Sequence, residues 1–303
     1  MSILECDGVS KHFGRVKALN EVSFSLLKGS VMGLIGPNGA GKTTTIKLLL
    51  GLLRPNTGQV LAFGENPWNN PRVLKRIGVV QEKPKFPLNV PTLHYLSLVA
   101  GMYGRSLETA SSALRDMGLQ DAFQTPIGKL SAGMIQRFAL AHALIHDPEI
   151  VIADEPTSNL DPQARTEVLD LIIRTNKQRG TTFLISSHLL ADLSRVCETV
   201  SIIYRGKTVA TGSLNELYQN FRTDVVRVNT NKPAELAEKI KKLPYVVLVE
   251  VAGDNISIRT ESRRGNVLYQ DVLTLAGQID ALLNGIESKG ASLEELFRKI
   301  TSA

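Results

Sequence analysis

Residues 36–43 combine glycine, lysine and threonine in a spacing that can bind a polyphosphate. The segment reads GPNGAGKT, meets the pattern G-x-x-x-x-G-K-T at every position, and follows an apolar run. The backbone N–H groups of such a loop point at phosphate oxygens, and the dipole of the following helix favours the same negative charge. Lys42 is predicted to reach the β- and γ-phosphates, and Thr43 to place its hydroxyl on Mg²⁺. The predicted nucleotide contacts are Gly36, Pro37, Asn38, Gly39, Ala40, Gly41, Lys42, Thr43 and Thr44.

A second reactive group follows the apolar run Ile150 to Ala153, which ends in two carboxylates. With a phosphate loop upstream, Asp154 is predicted to hold the Mg²⁺ shell, and Glu155 to polarise the water that attacks the γ-phosphate. The two motifs together predict ATP hydrolysis that uses ATP and Mg²⁺, with Lys42 and Glu155 as catalytic groups.

These residues need a scaffold that brings distant segments together, and the pattern of the chain predicts one. Short apolar or alternating runs broken by glycines predict strands at the start of the chain, and residues 44–53 predict a buried helix. Further strands alternate with helices between residues 150 and 204, which is typical of a parallel α/β sheet. Between residues 89 and 143, leucine and alanine recur at helical spacing, which predicts a mostly helical insert.

The order of the motifs in residues 1–220 resembles that of the ATP-binding subunits of ABC transporters. Residues 130–137, LSAGMIQR, resemble the family signature LSGGQ, with alanine and methionine at the third and fifth places. The resemblance implies that Ser131 and Gly133 of one subunit cap the γ-phosphate held by the phosphate loop of the other. Helix-end binding of anions agrees with that role.

Two further segments carry the same resemblance. Residues 154–162 look like the family's Walker B motif and D-loop, with Asp161 as the D-loop acid and Asn159 in place of a usual glycine. Residues 186–188, Ser-Ser-His, resemble the switch-histidine motif. The resemblance implies that His188 contacts the γ-phosphate and helps to hold Glu155 and the water.

Two positions leave alternatives open. Phe13 stands where family members stack an aromatic ring on adenine, and the alternative is a phenylalanine of the hydrophobic core. In the segment 77–82, IGVVQE, the Q-loop glutamine normally comes sixth, but here the sixth residue is Glu82 and Gln81 precedes it. Spacing favours Glu82 for the Mg²⁺ and coupling role, with Gln81 as the alternative.

The predicted fold is α/β: a P-loop NTPase of ABC type, with an antiparallel β-subdomain, a parallel-sheet core and a helical insert at about residues 84–148. This ATP-binding domain is predicted to span residues 1–220, and a small α+β domain residues 221–303. Strands and helices in the second domain predict a βαββαβ, ferredoxin-like order. The segment 291–300 resembles the terminal helix of ATPases from ABC-2-type exporters, and an ordinary capped helix is the alternative.

Composition limits the class of protein and its partners. The 303 residues carry a net charge of +6 without any block of five or more basic residues, so no nucleic acid partner is expected. No apolar run reaches the ~18 residues of a membrane span, and the first residues lack a signal-peptide pattern. The two cysteines lack metal-ligand spacing. A cytoplasmic protein, peripheral on the inner face of the membrane, is expected.

One phosphate loop and one signature per chain imply a dimer with two ATP molecules at its interface. The second chain is either another copy or a related ATPase. The resemblance further implies a polytopic transmembrane permease, to which the insert around residues 82–103 passes the motion of the dimer. It does not specify the cargo. The alternative is a soluble ABC ATPase acting on nucleic acid or ribosomes. Such proteins need a long heptad insertion or two nucleotide motifs in one chain, and this sequence has neither.

Overall fold

Two long strands at the start of the chain form an antiparallel sheet. Strands β1 (Ser2–Phe13) and β2 (Val16–Leu27) pair across the turn at Gly14, where φ is +57° and glycine is unstrained. Strand β4 (Thr57–Ala62) pairs with the other edge of β1, which gives the order β2-β1-β4. This sheet is the predicted antiparallel β-subdomain, and its apolar side chains pack in one core with those of the phosphate-loop helix.

A second sheet positions the predicted chemistry. Its order is β5-β6-β7-β3-β8-β9, all parallel except for the last strand. Because the carboxyl ends of neighbouring parallel strands meet at one edge, the loops after β3, β6 and β7 lie side by side. The strands are β3 (Val31–Ile35), β5 (Ile77–Val80), β6 (Ile150–Asp154), β7 (Thr182–Ser187), β8 (Thr199–Tyr204) and β9 (Lys207–Ser213).

Helices cover this sheet and form the insert. Three of them, α3, α4 and α5, fall within the predicted insert, while α1, α6 and α7 follow the strands that carry the motifs. The helices are α1 (Lys42–Leu49), α2 (Pro71–Leu74), α3 (Thr92–Met102), α4 (Leu107–Asp116), α5 (Ala132–Leu144), α6 (Pro162–Arg179) and α7 (Leu190–Val196). The predicted fold class, a P-loop NTPase of ABC type, is confirmed.

The remaining elements form a separate unit. Their order is β10 (Val225–Thr230), α8 (Pro233–Ile240), β11 (Val246–Ala252), β12 (Asn255–Thr260), α9 (Gly265–Gln278) and β13 (Leu283–Lys289). The antiparallel sheet β11-β12-β10-β13 gives the βαββαβ order that the sequence predicts. Its core is its own and is built on apolar side chains of both helices and the two central strands.

This computed structural model describes residues 2–214, 216–217, 225–260 and 265–289. The chain divides between Leu214 and Asn215, whereas the sequence prediction places the boundary at residue 220. The helix predicted at 293–300 lies outside the described residues. Within the described part, no helix is long and apolar enough to cross a membrane.

Candidate functional site

The phosphate loop opens into a pocket of about 270 Å³. Gly41 precedes helix α1 with a φ of +112°, and a Cβ there would lie 2.5 Å from the Leu19 side chain, so only glycine fits. Gly36, which lies against the Ile203 carbonyl of β8, and the buried Ala40 do not line the pocket. The lining residues are Val16, Lys17, Ala18, Pro37, Asn38, Gly39, Gly41, Lys42, Thr43, Thr44, Glu82 and Glu155.

Lys42 and Glu155 form a buried ion pair at the base of this pocket. The Lys42 Nζ lies 3.1 Å from the Glu155 Oε1, and the two side chains are 6% and 9% exposed. The ammonium also donates hydrogen bonds to the carbonyl oxygens of Gly36 at 2.6 Å and Pro37 at 3.3 Å. A buried cation with these three acceptors is well compensated.

The switch histidine meets the same carboxylate from the other side. The Nδ1 of His188 lies 2.7 Å from the Glu155 Oε2, and the backbone N–H of His188 donates to that oxygen at 3.4 Å. His188 follows strand β7, which lies beside β6 in the sheet, so the order of the strands explains the contact. Lys42, Glu155 and His188, which the sequence predicts to act together, therefore lie together.

Thr43 and Asp154 form the part of the site that suits a hard cation. The Thr43 hydroxyl donates to the Asp154 Oδ2 at 3.1 Å, and the Ser186 hydroxyl donates to the Oδ1 at 2.6 Å. Mg²⁺ prefers oxygen ligands and is held in nucleotide sites by one or two protein groups together with phosphates. A hydroxyl and a carboxylate in contact at the mouth of the loop fit that requirement.

Ser186 is a residue that the sequence analysis did not single out for chemistry. Besides binding Asp154, its hydroxyl accepts the backbone N–H of Glu155 at 2.9 Å. It thereby fixes the Asp154 carboxylate and the backbone of Glu155 relative to strand β7. The motif Ser-Ser-His contained the signal, but the contact depends on the pairing of β6 and β7.

Left-handed backbone at two positions shapes the segment after β6. Glu155 has a φ of +47°, which turns the chain sharply after the strand. Asn159 has a φ of +60°. Asparagine is among the few residues that tolerate this conformation, so its replacement of the family's usual glycine keeps the shape of the loop.

The two alternatives left by the sequence lie in different surroundings. Glu82 lines the phosphate-loop pocket, whereas Gln81 lines another cavity of about 210 Å³ beside aromatic side chains of the insert.

Phe13 is 48% exposed at the end of the β1–β2 hairpin, so it does not belong to the core. It pairs with Val16, which lines the pocket together with Lys17.

The signature and the D-loop acid begin helices, and neither lines the described pocket. The Ser131 Oγ caps α5 by accepting the Met134 N–H at 3.3 Å, and the Asp161 Oδ1 caps α6 by accepting the Ala164 N–H at 2.9 Å. A Cβ on Gly133 would lie 2.8 Å from the Ala164 Cβ. Both helix starts are thus packed against one another within the chain.

Comparison with known proteins agrees with this geometry. The ABC transporter family model matches residues 19–158. The bacitracin transport ATP-binding protein BcrA of Bacillus licheniformis is 39% identical over 99% of this chain and 97% of its own length. The chain belongs to the ABC transporter ATP-binding proteins. The Nod factor export ATP-binding protein I of Rhizobium sp. (strain N33) is 32% identical over 98% of the chain and 96% of its own length.

Solved ABC cassettes share the fold. The ADP conformation of the cassette MJ1267 matches with a TM-score of 0.65 and 27% identity, over 71% of this chain and 92% of the other. The cassette cbiO1 from Clostridium perfringens matches with the same TM-score and 25% identity, over 72% and 90%. This ABC protein is therefore a nucleotide-binding ATPase subunit of a transporter, and the nucleic acid alternative is disfavoured.

Proposed function

We propose that this ABC ATPase binds Mg-ATP between two chains, hydrolyses it with Glu155, and drives an ABC-2-type exporter through a separate membrane permease. The observation that carries the proposal is the buried contact of Glu155 with Lys42 on one side and His188 on the other. A carboxylate held between a phosphate-binding lysine and a histidine is placed to act on water at a γ-phosphate.

Binding of ATP requires Lys42 to exchange partners. Its ammonium leaves the Glu155 carboxylate and the loop carbonyls for the β- and γ-phosphates, which carry more negative charge. The exchange frees the Glu155 Oε1 to accept a proton from the attacking water. Phe13, at the exposed end of the hairpin, stacks on the adenine ring.

His188 keeps the freed carboxylate in place. Its Nδ1–H donates to the Glu155 Oε2, which leaves the other ring nitrogen to face the γ-phosphate. Its side chain is 38% exposed, so part of the ring is open to solvent. The histidine therefore positions the base while it contacts the substrate.

Thr43, Asp154 and Glu82 are the residues that would hold Mg²⁺. When bound, the ion neutralises charge that develops on the phosphates. The Asp154 Oδ1 stays with Ser186, so the Oδ2 is the oxygen available for the metal. Glu82 supplies a further carboxylate from the loop that enters the helical insert, which links the metal site to the insert.

The second chain completes the site. Ser131, Gly133 and the N-terminus of α5 lie away from the described pocket, so they serve the γ-phosphate of another chain. Asp161 and the D-loop face that chain as well. The sequence fits a homodimer. If the partner is instead a related ATPase, the light-scattering measurement described below would detect it.

The relatives support the membrane partner and the direction of transport that we propose. Both full-length relatives named above act in transport or export, and their similarity extends through the second unit of this chain. We therefore assign this chain to the inner face of the cell membrane, bound to a polytopic permease. Bacitracin is the first cargo to test, because BcrA matches over nearly its whole length.

Replacement of Glu155 by Gln tests the catalytic assignment. We expect turnover to fall by ~10²-fold or more, within the range for loss of a general base, while ATP still binds. Glu149→Gln is the matched control, since Glu149 lies on the surface with Lys28 and Arg76. Light scattering with Mg-ATP and with Mg-ADP should detect an ATP-dependent dimer of Glu155→Gln. An unchanged rate would refute the catalytic role.

Export is tested in the native host. The Glu155→Gln allele on the chromosome should raise the sensitivity of the cells to bacitracin relative to Glu149→Gln, if bacitracin is the cargo. Equal sensitivity of the two strains would exclude bacitracin as the cargo and leave the ATPase assignment unchanged. A monomeric Glu155→Gln protein that retains ATP would point to the heterodimer.

A further inference from the structure

Asp192 is a buried carboxylate that the proposed mechanism does not use. It lies in helix α7, one turn after His188, and is 7% exposed. Its Oδ2 accepts the Thr157 hydroxyl at 2.8 Å, and Thr157 is 2% exposed. Burial of a carboxylate costs free energy unless it is hydrogen-bonded or paired, so these contacts hold it firmly.

Two contacts join the same two segments of the chain. Glu155 contacts His188, and Thr157, two residues after Glu155, contacts Asp192. The first contact includes a histidine that is 38% exposed and that must also serve the substrate. The second lies in the interior, where water does not compete for the hydrogen bond. It can therefore hold the segments together while Glu155 gives up Lys42 and His188 contacts the substrate.

The same carboxylate reaches the D-loop helix. The Arg165 Nε lies 3.6 Å from the Asp192 Oδ2, an ion pair longer than a hydrogen bond. The Arg165 Nη2 donates to the Leu160 carbonyl at 3.4 Å, and Asp161 caps the helix that carries Arg165. Asp192 thus contacts Thr157, within the segment 154–162 of the Walker B motif and D-loop, and Arg165, just beyond the end of that segment.

We propose that Asp192 is a positioning residue that ties the D-loop to the Glu155–His188 pair. Movement of the D-loop against a second chain then moves Thr157 and α7 together, and His188 stays in reach of Glu155. The inference rests on the roles proposed above for Glu155 and His188. It adds a route by which closure of the dimer reaches the catalytic carboxylate inside one chain.

Thr157→Val tests the proposal, since valine keeps the shape and removes the hydroxyl. We expect kcat to fall ~10-fold or more, as a small misplacement of a catalytic group can cost, with the KM for ATP within about 2-fold. Thr157→Ser keeps the hydroxyl and should restore most of kcat. Thr175→Val is the matched control, because Thr175 is likewise buried and, among the described residues, its hydroxyl donates to a helix carbonyl, of Leu171.

Asp192→Asn distinguishes the contribution of the Thr157 contact from that of the Arg165 contact. The amide oxygen still accepts from Thr157, while the charge opposite Arg165 is lost, so its kcat should lie between those of the wild type and Thr157→Val. A wild-type kcat for Thr157→Val would overturn the proposal, as would equal losses for the Val and Ser variants. Loss of ATP binding, or of thermal stability beyond that of Thr175→Val, would also overturn it, because the role would then be structural.

The ring nitrogens of His188 give a readout that does not depend on hydrolysis. In ¹⁵N spectra, assigned with His188→Gln, the Nδ1–H signal should shift in Thr157→Val and stay in Thr175→Val. An unchanged signal overturns the positioning role even if Glu155 is catalytic. A shifted signal with an unchanged rate for Glu155→Gln would instead refute the proposed function and leave the link intact.

Discussion

Lys42 and Glu155 show how one pair of residues can serve both folding and chemistry. Their charges are almost fully buried, and each has further partners: the loop carbonyls of Gly36 and Pro37 for the lysine, and His188 for the glutamate. Loss of one member of a buried pair typically costs about 3–5 kcal/mol because the other charge is left uncompensated. Here the remaining partners reduce that cost.

Lys42→Ala should therefore abolish tight ATP binding and lower the free energy of unfolding by about 2 kcal/mol, less than is typical because Glu155 keeps His188. Lys28→Ala is the control, since Lys28 is 63% exposed in its pair with Glu149 and should cost under about 1 kcal/mol. Calorimetry of ATP binding and urea unfolding measure both effects. Tight binding with normal turnover in Lys42→Ala would contradict the phosphate-loop assignment.

At the scale of elements, the signature helix α5 and the D-loop helix α6 touch where neither has room for a larger residue. Gly133 lies against Ala164, and an added methyl group would approach the Ala164 Cβ to 2.8 Å. The glycine of the signature thus has a packing role inside the chain in addition to the nucleotide role that its motif implies. Contact at this distance forces one helix to move.

Gly133→Ala should destabilise the protein by about 1–3 kcal/mol and reduce ATP-dependent dimer formation, because it displaces the start of α5. Ala164→Gly in the same chain should recover part of both losses by removing the opposing methyl group. Gly101→Ala, in α3 with open space around it, should instead stabilise by about 0.5–1 kcal/mol. Thermal unfolding measures all three, and equal effects at residues 101 and 133 would contradict the packing argument.

Helix α5 also carries His142 into an aromatic cluster. Its ring lies 5.5 Å from that of Phe86 and 5.9 Å from that of Tyr95, and burial together with the nearby His146 lowers the pKa of His142. Burial likewise lowers the pKa of His146, which contacts the Ile77 carbonyl. Both shifts favour the neutral form of the ring in the folded protein.

The sign of the pH dependence follows from these shifts. Below about pH 6.5, the usual pKa of histidine, the unfolded chain binds protons that the folded chain excludes, so stability should fall as pH falls from there. His142→Phe removes one of the two groups and should flatten the dependence between pH 7.5 and pH 5.5. Urea midpoints at several pH values measure it, and identical slopes for variant and wild type would refute the assignment to His142.

At the scale of the whole molecule, each of the two units has its own core. The phosphate-loop side chains pack with those of the β-subdomain, and the β10–β13 unit is built around the apolar residues of α8 and α9. The residues proposed for chemistry all precede Leu214. The first unit therefore contains all the residues of this chain that we propose for catalysis.

A chain ending at residue 220 should fold and hydrolyse ATP at a rate within about 3-fold of the full-length protein, because no proposed catalytic contact is removed. Circular dichroism and a phosphate-release assay check the two parts of the prediction. A truncated chain that folds but cannot bind ATP would contradict the domain boundary.

The sequence by itself determined the motifs whose chemistry is local. The phosphate loop and the two carboxylates at the end of β6 are recognisable from neighbouring residues, since loop backbone, helix dipole and strand end are set within a few positions. The α/β class and the βαββαβ order of the second unit followed from periodicity for the same reason. Their roles in catalysis stay predictions.

Only the tertiary structure decided what depends on contacts between distant segments. The pairing of β6 with β7 brings Ser186 to Asp154, and the packing of α7 brings Asp192 to Thr157. The fold also put Glu82, and not Gln81, at the phosphate pocket. Sequence spacing cannot fix such contacts, because they are set by the order of the strands and by which face of each loop the core leaves open.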